Sequence, residues 1–310
     1  MPKPAKASQA LRAIAILALV AAGMYLQNPV TEKIFGGANA WFSLRSSSAS
    51  AVLLSSTYLM VVTVRLFWWA VLAGFAYLID QNASHGIFQR SSQPFALFLK
   101  GLGIGLLVMA GTILAIVALG DAQLKATSGT AWTHVLYGGK WLLGEVVGAV
   151  GEELLYRGLI LVAVSRIAGT KAAVFVSALV FSLGHVLNPG ASFIWLIRLF
   201  AAGLLLCYSV FRTGSLWWAI GYHAGWNWMS APFFGAAGSG YIDEGHIFSF
   251  VPAGSNWVTG GAVGPEGSVF AYLAVLLGAL LLLVTTASVR LPGSPDSKLT
   301  GDWRHPRSRF

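Results

Sequence analysis

Runs of about 20 apolar residues recur along this chain, and that recurrence limits its possible folds more than any other feature. A helix of that length spans roughly 30 Å, the thickness of bilayer hydrocarbon. The runs fall at Ile14–Tyr25, Ser55–Ile79, Phe95–Gly120, Trp141–Ile167, Ala172–Leu187, Ser192–Phe211, Ser215–Phe233 and Ser268–Val289. Composition agrees: 56% of the 310 residues are hydrophobic and 10% are charged, against about 25% charged in a soluble domain. The expected fold is an all-α polytopic transmembrane helical bundle of about eight spans. One transmembrane domain, 11–289, lies between a basic N-terminal tail, 1–10, and a basic, Pro-rich C-terminal tail, 290–310, expected to be disordered. The first run also resembles a signal peptide with Ala21-Ala22-Gly23 as its small-residue site, but hydrophobic helices follow throughout and favour a retained span.

The net charge of +9 reads as the Lys and Arg of cytoplasmic loops rather than as a nucleic-acid surface. With eight spans and the N-terminus inside, inner segments hold 13 Lys and Arg and outer segments hold 4. That bias puts both termini in the cytoplasm of a multi-pass cell-membrane protein. The single cysteine, Cys207, excludes a disulfide framework and any multi-Cys zinc site within one chain.

Within this apolar background the sequence Gly151-Glu152-Glu153-Leu154-Leu155-Tyr156-Arg157-Gly158 stands out. Of the 11 acidic residues, Glu145, Glu152 and Glu153 lie well inside an apolar run. A charge at the bilayer centre costs about 2.5–3.5 kcal/mol, so such a group is expected to face a wet, protein-lined cavity. Glu153 and Arg157 are four apart, with the acid on the N-terminal side, the better order for a helical ion pair. Arg157 can neutralise only one of the two acids, which leaves Glu152, about 100° around the helix, to exchange protons. Two more runs carry histidine at depth, Phe181-Ser182-Leu183-Gly184-His185 and His223-Ala224-Gly225-Trp226-Asn227. His223 and Asn227 share a face. Gly221 and Gly225 point roughly opposite and suit close packing on another helix.

A carboxylate that takes up a proton from water and returns it serves as general base and then general acid. A histidine beside it can share that water, and a second histidine and an amide can donate to a developing oxyanion. Such a set could hydrolyse a peptide bond inside a membrane. A proton-coupled transporter using the same groups as a relay is the competing reading; the chain shows no internal repeat of the kind transporters often carry. A non-catalytic scaffold or immunity protein of the same fold is the third.

These segments resemble the CPBP family of intramembrane proteases, which includes CAAX prenyl endopeptidases and bacteriocin-processing and self-immunity proteins and is also called Abi. Its motif E-E-x-x-x-R is matched by Glu152, Glu153 and Arg157, F-x-x-x-H by Phe181 and His185, and H-x-x-x-N by His223 and Asn227, in the family order. The CPBP-like core is expected over about 141–233. The resemblance implies that Glu152 with His185 activates the attacking water, that His223 and Asn227 form the oxyanion site, and that Glu153 with Arg157 orients the cluster. It implies a membrane-associated peptide or protein substrate. The family is named as metalloprotease, and two His and one Glu (Glu152, His185, His223) could bind Zn²⁺. A glutamate-dependent mechanism without a ligated metal is the alternative, and it is the one expected here: H-E-x-x-H is absent. The rhomboid-like G-x-S-G and presenilin-like G-x-G-D signatures are absent too.

Overall fold

The computed structural model describes residues 7–25, 68, 70–79, 93–241 and 246–286. Helices fall in each of the eight apolar stretches. They are α1 (Ala7–Tyr25), α2 (Ala70–Ile79), α3 (Pro94–Ala118), α4 (Ala131–Glu153), α5 (Leu161–Leu183), α6 (Phe193–Thr213), α7 (Trp217–Trp228) and α8 (Val269–Thr285). By length and apolarity, four continuous helices among the described residues can cross a membrane: α1, α3, the 53-residue run Ala131–Leu183 and α6. α2 and α8 are shorter apolar helices. Helix α1 already begins at Ala7, inside the stretch expected as a tail. Arg65 and the tail 290–310 lie outside the described residues.

The long run Ala131–Leu183 is not one straight rod. Gly169 adopts φ 83° and ψ 172°, a left-handed φ that glycine reaches without steric cost. The break falls inside the basic stretch Arg166–Lys171, where the sequence places the turn between two spans. Caps sit where serine and threonine occur ahead of apolar runs. Thr130 accepts from the Thr133 amide at 3.1 Å and Ser192 from the Trp195 amide at 3.2 Å, which satisfies first-turn donors of α4 and α6.

The helices pack around two cores. One joins α1 and α2 to α4, α5, α6 and α7 through residues such as Ile16, Leu72, Leu159, Phe181 and Trp195. The other joins α3, α6, α7 and α8 through Met109, Ile113, Trp218, Tyr222 and Leu282. The tightest seam is α3 against α7. A methyl group on Gly101 or Gly105 would collide with the Trp218 or Tyr222 carbonyl, and one on Gly221 or Gly225 with the Phe98 or Leu102 carbonyl. Four glycines thus bring the two backbones into contact. The seam occupies one face of α7 and turns the other, bearing His223 and Asn227, toward α4.

The fold is not purely α. Ala122–Ala126 (β1) pairs antiparallel with Phe248–Pro252 (β2), with Leu124 opposite Phe250. Both segments lie in stretches that read as loops. Leu124, Phe248 and Phe250 pack on the second core, and this apolar face holds the pair together. The Asp121 carbonyl extends it by accepting from the Ala253 and Gly254 amides.

Candidate active site

Helix α4 ends at the Glu152-Glu153 doublet, and the backbone continues as a π-helical stretch, Leu154–Ile160. Such wide turns occur mostly as single insertions within α-helices and are frequent at functional sites. This one carries Tyr156 and Arg157 into the bundle, where Arg157 is 1% exposed. The two glutamates diverge as their angular offset predicts. Glu153 is completely buried and accepts from Arg157 Nη1 at 3.0 Å. Its same Oε1 lies 2.9 Å from His223 Nδ1. A carboxylate held by arginine only accepts, so His223 Nδ1 carries the proton of that bond. Glu153 is therefore more than half of an ion pair: it fixes the orientation of the α7 histidine. Arg157 also lies with its guanidinium carbon 4.4 Å from the Phe181 ring centroid, a cation–π contact.

His185 is not within a helix. Helix α5 stops at Leu183, and His185 sits in the turn that follows, its amide bonded to the Ser182 carbonyl at 3.1 Å. The expected span to Leu187 is thus four residues too long. His185 Nδ1 lies 2.8 Å from the Phe181 carbonyl oxygen, an acceptor only, so Nδ1 is protonated and the neutral ring keeps its lone pair on Nε2. Phe181 is the packing centre: its ring meets His185, His223 and Tyr156 edge-on, with centroids 5.1, 6.0 and 5.2 Å away.

The consequence of these contacts is convergence. Glu152 Oε2 lies 3.9 Å from His185 Nε2 and 4.0 Å from His223 Nε2. Both separations exceed a direct hydrogen bond and suit a bridging water. The Glu152 side chain is 32% exposed, against 14% and 11% for the histidines, so of the three it is the most open. Asn227, one turn beyond His223, donates from Nδ2 to Glu145 Oε2 at 3.1 Å. His185, His223 and Asn227 line a cavity of about 30 Å³ together with Phe181, Arg198 and Glu266, room for about one or two waters.

Three participants in this neighbourhood were not legible as such in the sequence. Glu145, two turns before Glu152, grips Asn227. Glu266, in the Gly-rich stretch between the last two apolar runs, is 2% exposed and accepts from Arg198 Nη2 at 2.7 Å, while its backbone carbonyl accepts from Arg198 Nε at 3.1 Å. Ser239 donates to the same Glu266 carboxylate at 3.1 Å. The signal was Arg198 itself, a charge inside an apolar run that needs either lipid headgroups or a buried acid.

Zinc is the metal that the metalloprotease name implies. Glu152, His185 and His223 have suitable donors, but bonds of about 2.0–2.2 Å to tetrahedral zinc place ligand atoms roughly 3.3 Å apart. Here the carboxylate oxygen stands 3.9 and 4.0 Å from the two nitrogens. Among the described residues no three His, Cys, Asp or Glu form a group able to hold an ion. The arrangement does not fit the metal.

Apolar helices, four of them among the described residues long enough to cross a membrane, enclose a carboxylate–histidine cluster, as in a membrane protein with polar groups inside its bundle. Residues 134–229 match the family model described as Rce1-like, type II CAAX prenyl endopeptidase. That segment, about a third of the chain, contains all three motifs and is consistent with the CPBP family. No curated protein matches the chain. No solved structure matches it.

Proposed function

We propose that this protein is an intramembrane endopeptidase that hydrolyses a peptide bond in a membrane-associated peptide or protein, with Glu152, His185, His223 and Asn227 as its catalytic residues. The eight-span arrangement with both termini in the cytoplasm, in the cell membrane, belongs to the same reading. The observation that carries it is the approach of two histidine Nε2 atoms, from separate segments, to one carboxylate oxygen, Glu152 Oε2.

A water between Glu152 Oε2 and His185 Nε2 donates one O–H to each acceptor. Glu152 takes a proton as the water oxygen attacks the scissile carbonyl, and His185 holds the water's other hydrogen in line. The resulting oxyanion is met by His223 Nε2–H, in the ring form that carries both protons, and by the Asn227 Nδ2 hydrogen not committed to Glu145. Glu152 then passes its proton to the departing amine, leaving a carboxylic acid and restoring the carboxylate. Glu153 and Arg157 hold His223 in place throughout.

The test compares cells carrying the wild type with cells carrying Glu152→Gln for membrane-associated peptides that accumulate uncut, together with cleavage of a quenched fluorescent prenylated peptide in proteoliposomes. The proposal expects accumulation and loss of cleavage at unchanged protein level. Equal peptide profiles and equal cleavage would overturn it. Substrate-dependent proton flux without cleavage would establish the transport reading instead.

A further inference from the structure

The two functional side chains of α7 are each held by a carboxylate of α4. Glu153 Oε1 accepts from His223 Nδ1 at 2.9 Å, and Glu145 Oε2 accepts from Asn227 Nδ2 at 3.1 Å. The order is antiparallel: the earlier acid meets the later α7 residue. Glu153 belongs to the family motif; Glu145 does not. Yet the two contacts have the same form.

We infer that Glu145 is a positioning residue, which turns the Asn227 amide so that N–H and not C=O faces the oxyanion; this rests on the proposed role of Asn227. An asparagine side chain has nearly the same shape in its two flipped orientations, and hydrogen bonding decides between them. An ionised carboxylate only accepts, so it holds the Nδ2 end. One Nδ2 hydrogen is spent on that bond and the other remains for substrate. With Glu145 gone, the amide is free to turn its Oδ1 toward the oxyanion, where like partial charges repel. Glu145 lies on the same helix as the general base, so one rigid element sets both the attacking water and the orientation of the donor opposite it.

Loss of an oxyanion donor lowers kcat by about 10²–10³-fold. Releasing a donor without removing it costs less, so Glu145→Leu should lower kcat roughly tenfold with KM within about threefold. Glu145→Gln keeps the size of the side chain but can bond either end of the amide. Its kcat should fall between wild type and Glu145→Leu with an unchanged melting temperature. Asn227→Ala should lose more than either, and Glu145→Leu should cost nothing further in the Asn227→Ala background, because coupled residues are not additive.

The measurement is kcat and KM on the quenched prenylated peptide in proteoliposomes, with thermal melting of each variant. A wild type that leaves the peptide intact, or Asn227→Ala at wild-type rate, would overturn the assignment of Asn227 and this inference with it. If Asn227→Ala is impaired, the inference alone fails on either of two results. One is Glu145→Gln and Glu145→Leu both at wild-type kcat. The other is Glu145→Leu costing the same factor with and without Asn227.

Discussion

Changing either member of the Glu-Glu doublet to glutamine should separate activity from stability. Glu153 is completely buried and is the ionised partner of Arg157, itself 1% exposed. Removing one member of a buried pair leaves the other charge uncompensated, which costs about 3–5 kcal/mol. At roughly 2–4 °C per kcal/mol, Glu153→Gln should melt about 6–20 °C below wild type. The Glu152 side chain is 32% exposed, and the histidine nitrogens beside it stand 3.9 and 4.0 Å away. Glu152→Gln should therefore shift stability by less than about 1 kcal/mol. Its cleavage rate should fall by about 10²–10⁴-fold, the usual range for a lost general base. That loss corresponds to about 3–5 kcal/mol of transition-state stabilisation. The assay pairs thermal unfolding in detergent with single-turnover cleavage of a membrane-anchored fluorescent peptide. Glu152→Gln cleaving within about threefold of wild type would refute the base assignment. Glu153→Gln melting at the wild-type temperature would refute the account of the buried pair.

Three further outcomes follow from contacts elsewhere. A methyl at Gly221 meets the Phe98 carbonyl, whereas one at Gly103 meets nothing within 4 Å. Gly221→Ala should lose about 1–3 kcal/mol by overpacking, and Gly103→Ala should be neutral or gain a few tenths by helix propensity, or roughly up to 1 kcal/mol; equal melting of the two variants would count against the seam. Glu266→Gln should strand the Arg198 charge at a cost of about 3–5 kcal/mol, and melting of Glu266→Gln beside Arg198→Met/Glu266→Leu should show the double variant recovering most of that loss. Incubation with a zinc chelator should leave peptide cleavage unchanged; loss of cleavage that added zinc restores would contradict the reading of Glu152, His185 and His223 as too widely spaced.

The sequence disclosed which polar side chains gather inside the bundle better than the architecture around them. Glu152 and Glu153 differ by one position and hence by about 100°, enough to send one into an ion pair and the other toward the histidines. Gly221 and Gly225 announced a close helix contact, and its partner proved to be α3 with two glycines of its own. The end of α5 was hidden because Val186 and Leu187 continue the apolar run past the last helical turn, and hydropathy does not distinguish helix from turn. The β1–β2 pair joins segments over 120 positions apart, a register no local pattern encodes. Glu266 and Arg198 are separated by 68 positions, so the burial of that acid becomes visible only once the loop is folded back. The role of Glu145 was concealed for the same reason: its bond to Asn227 crosses between two helices.

The four-glycine contact between α3 and α7 also says which wall of the site is fixed. Two main chains in touch leave no slack for α7 to slide or rotate, so the imidazole and amide it carries form an anvil. On the proposed reading, room for an incoming peptide comes from the opposite side, where His185 rides on a short irregular turn. Differences in what related chains accept should accumulate at that turn, while the seam tolerates nothing larger than hydrogen.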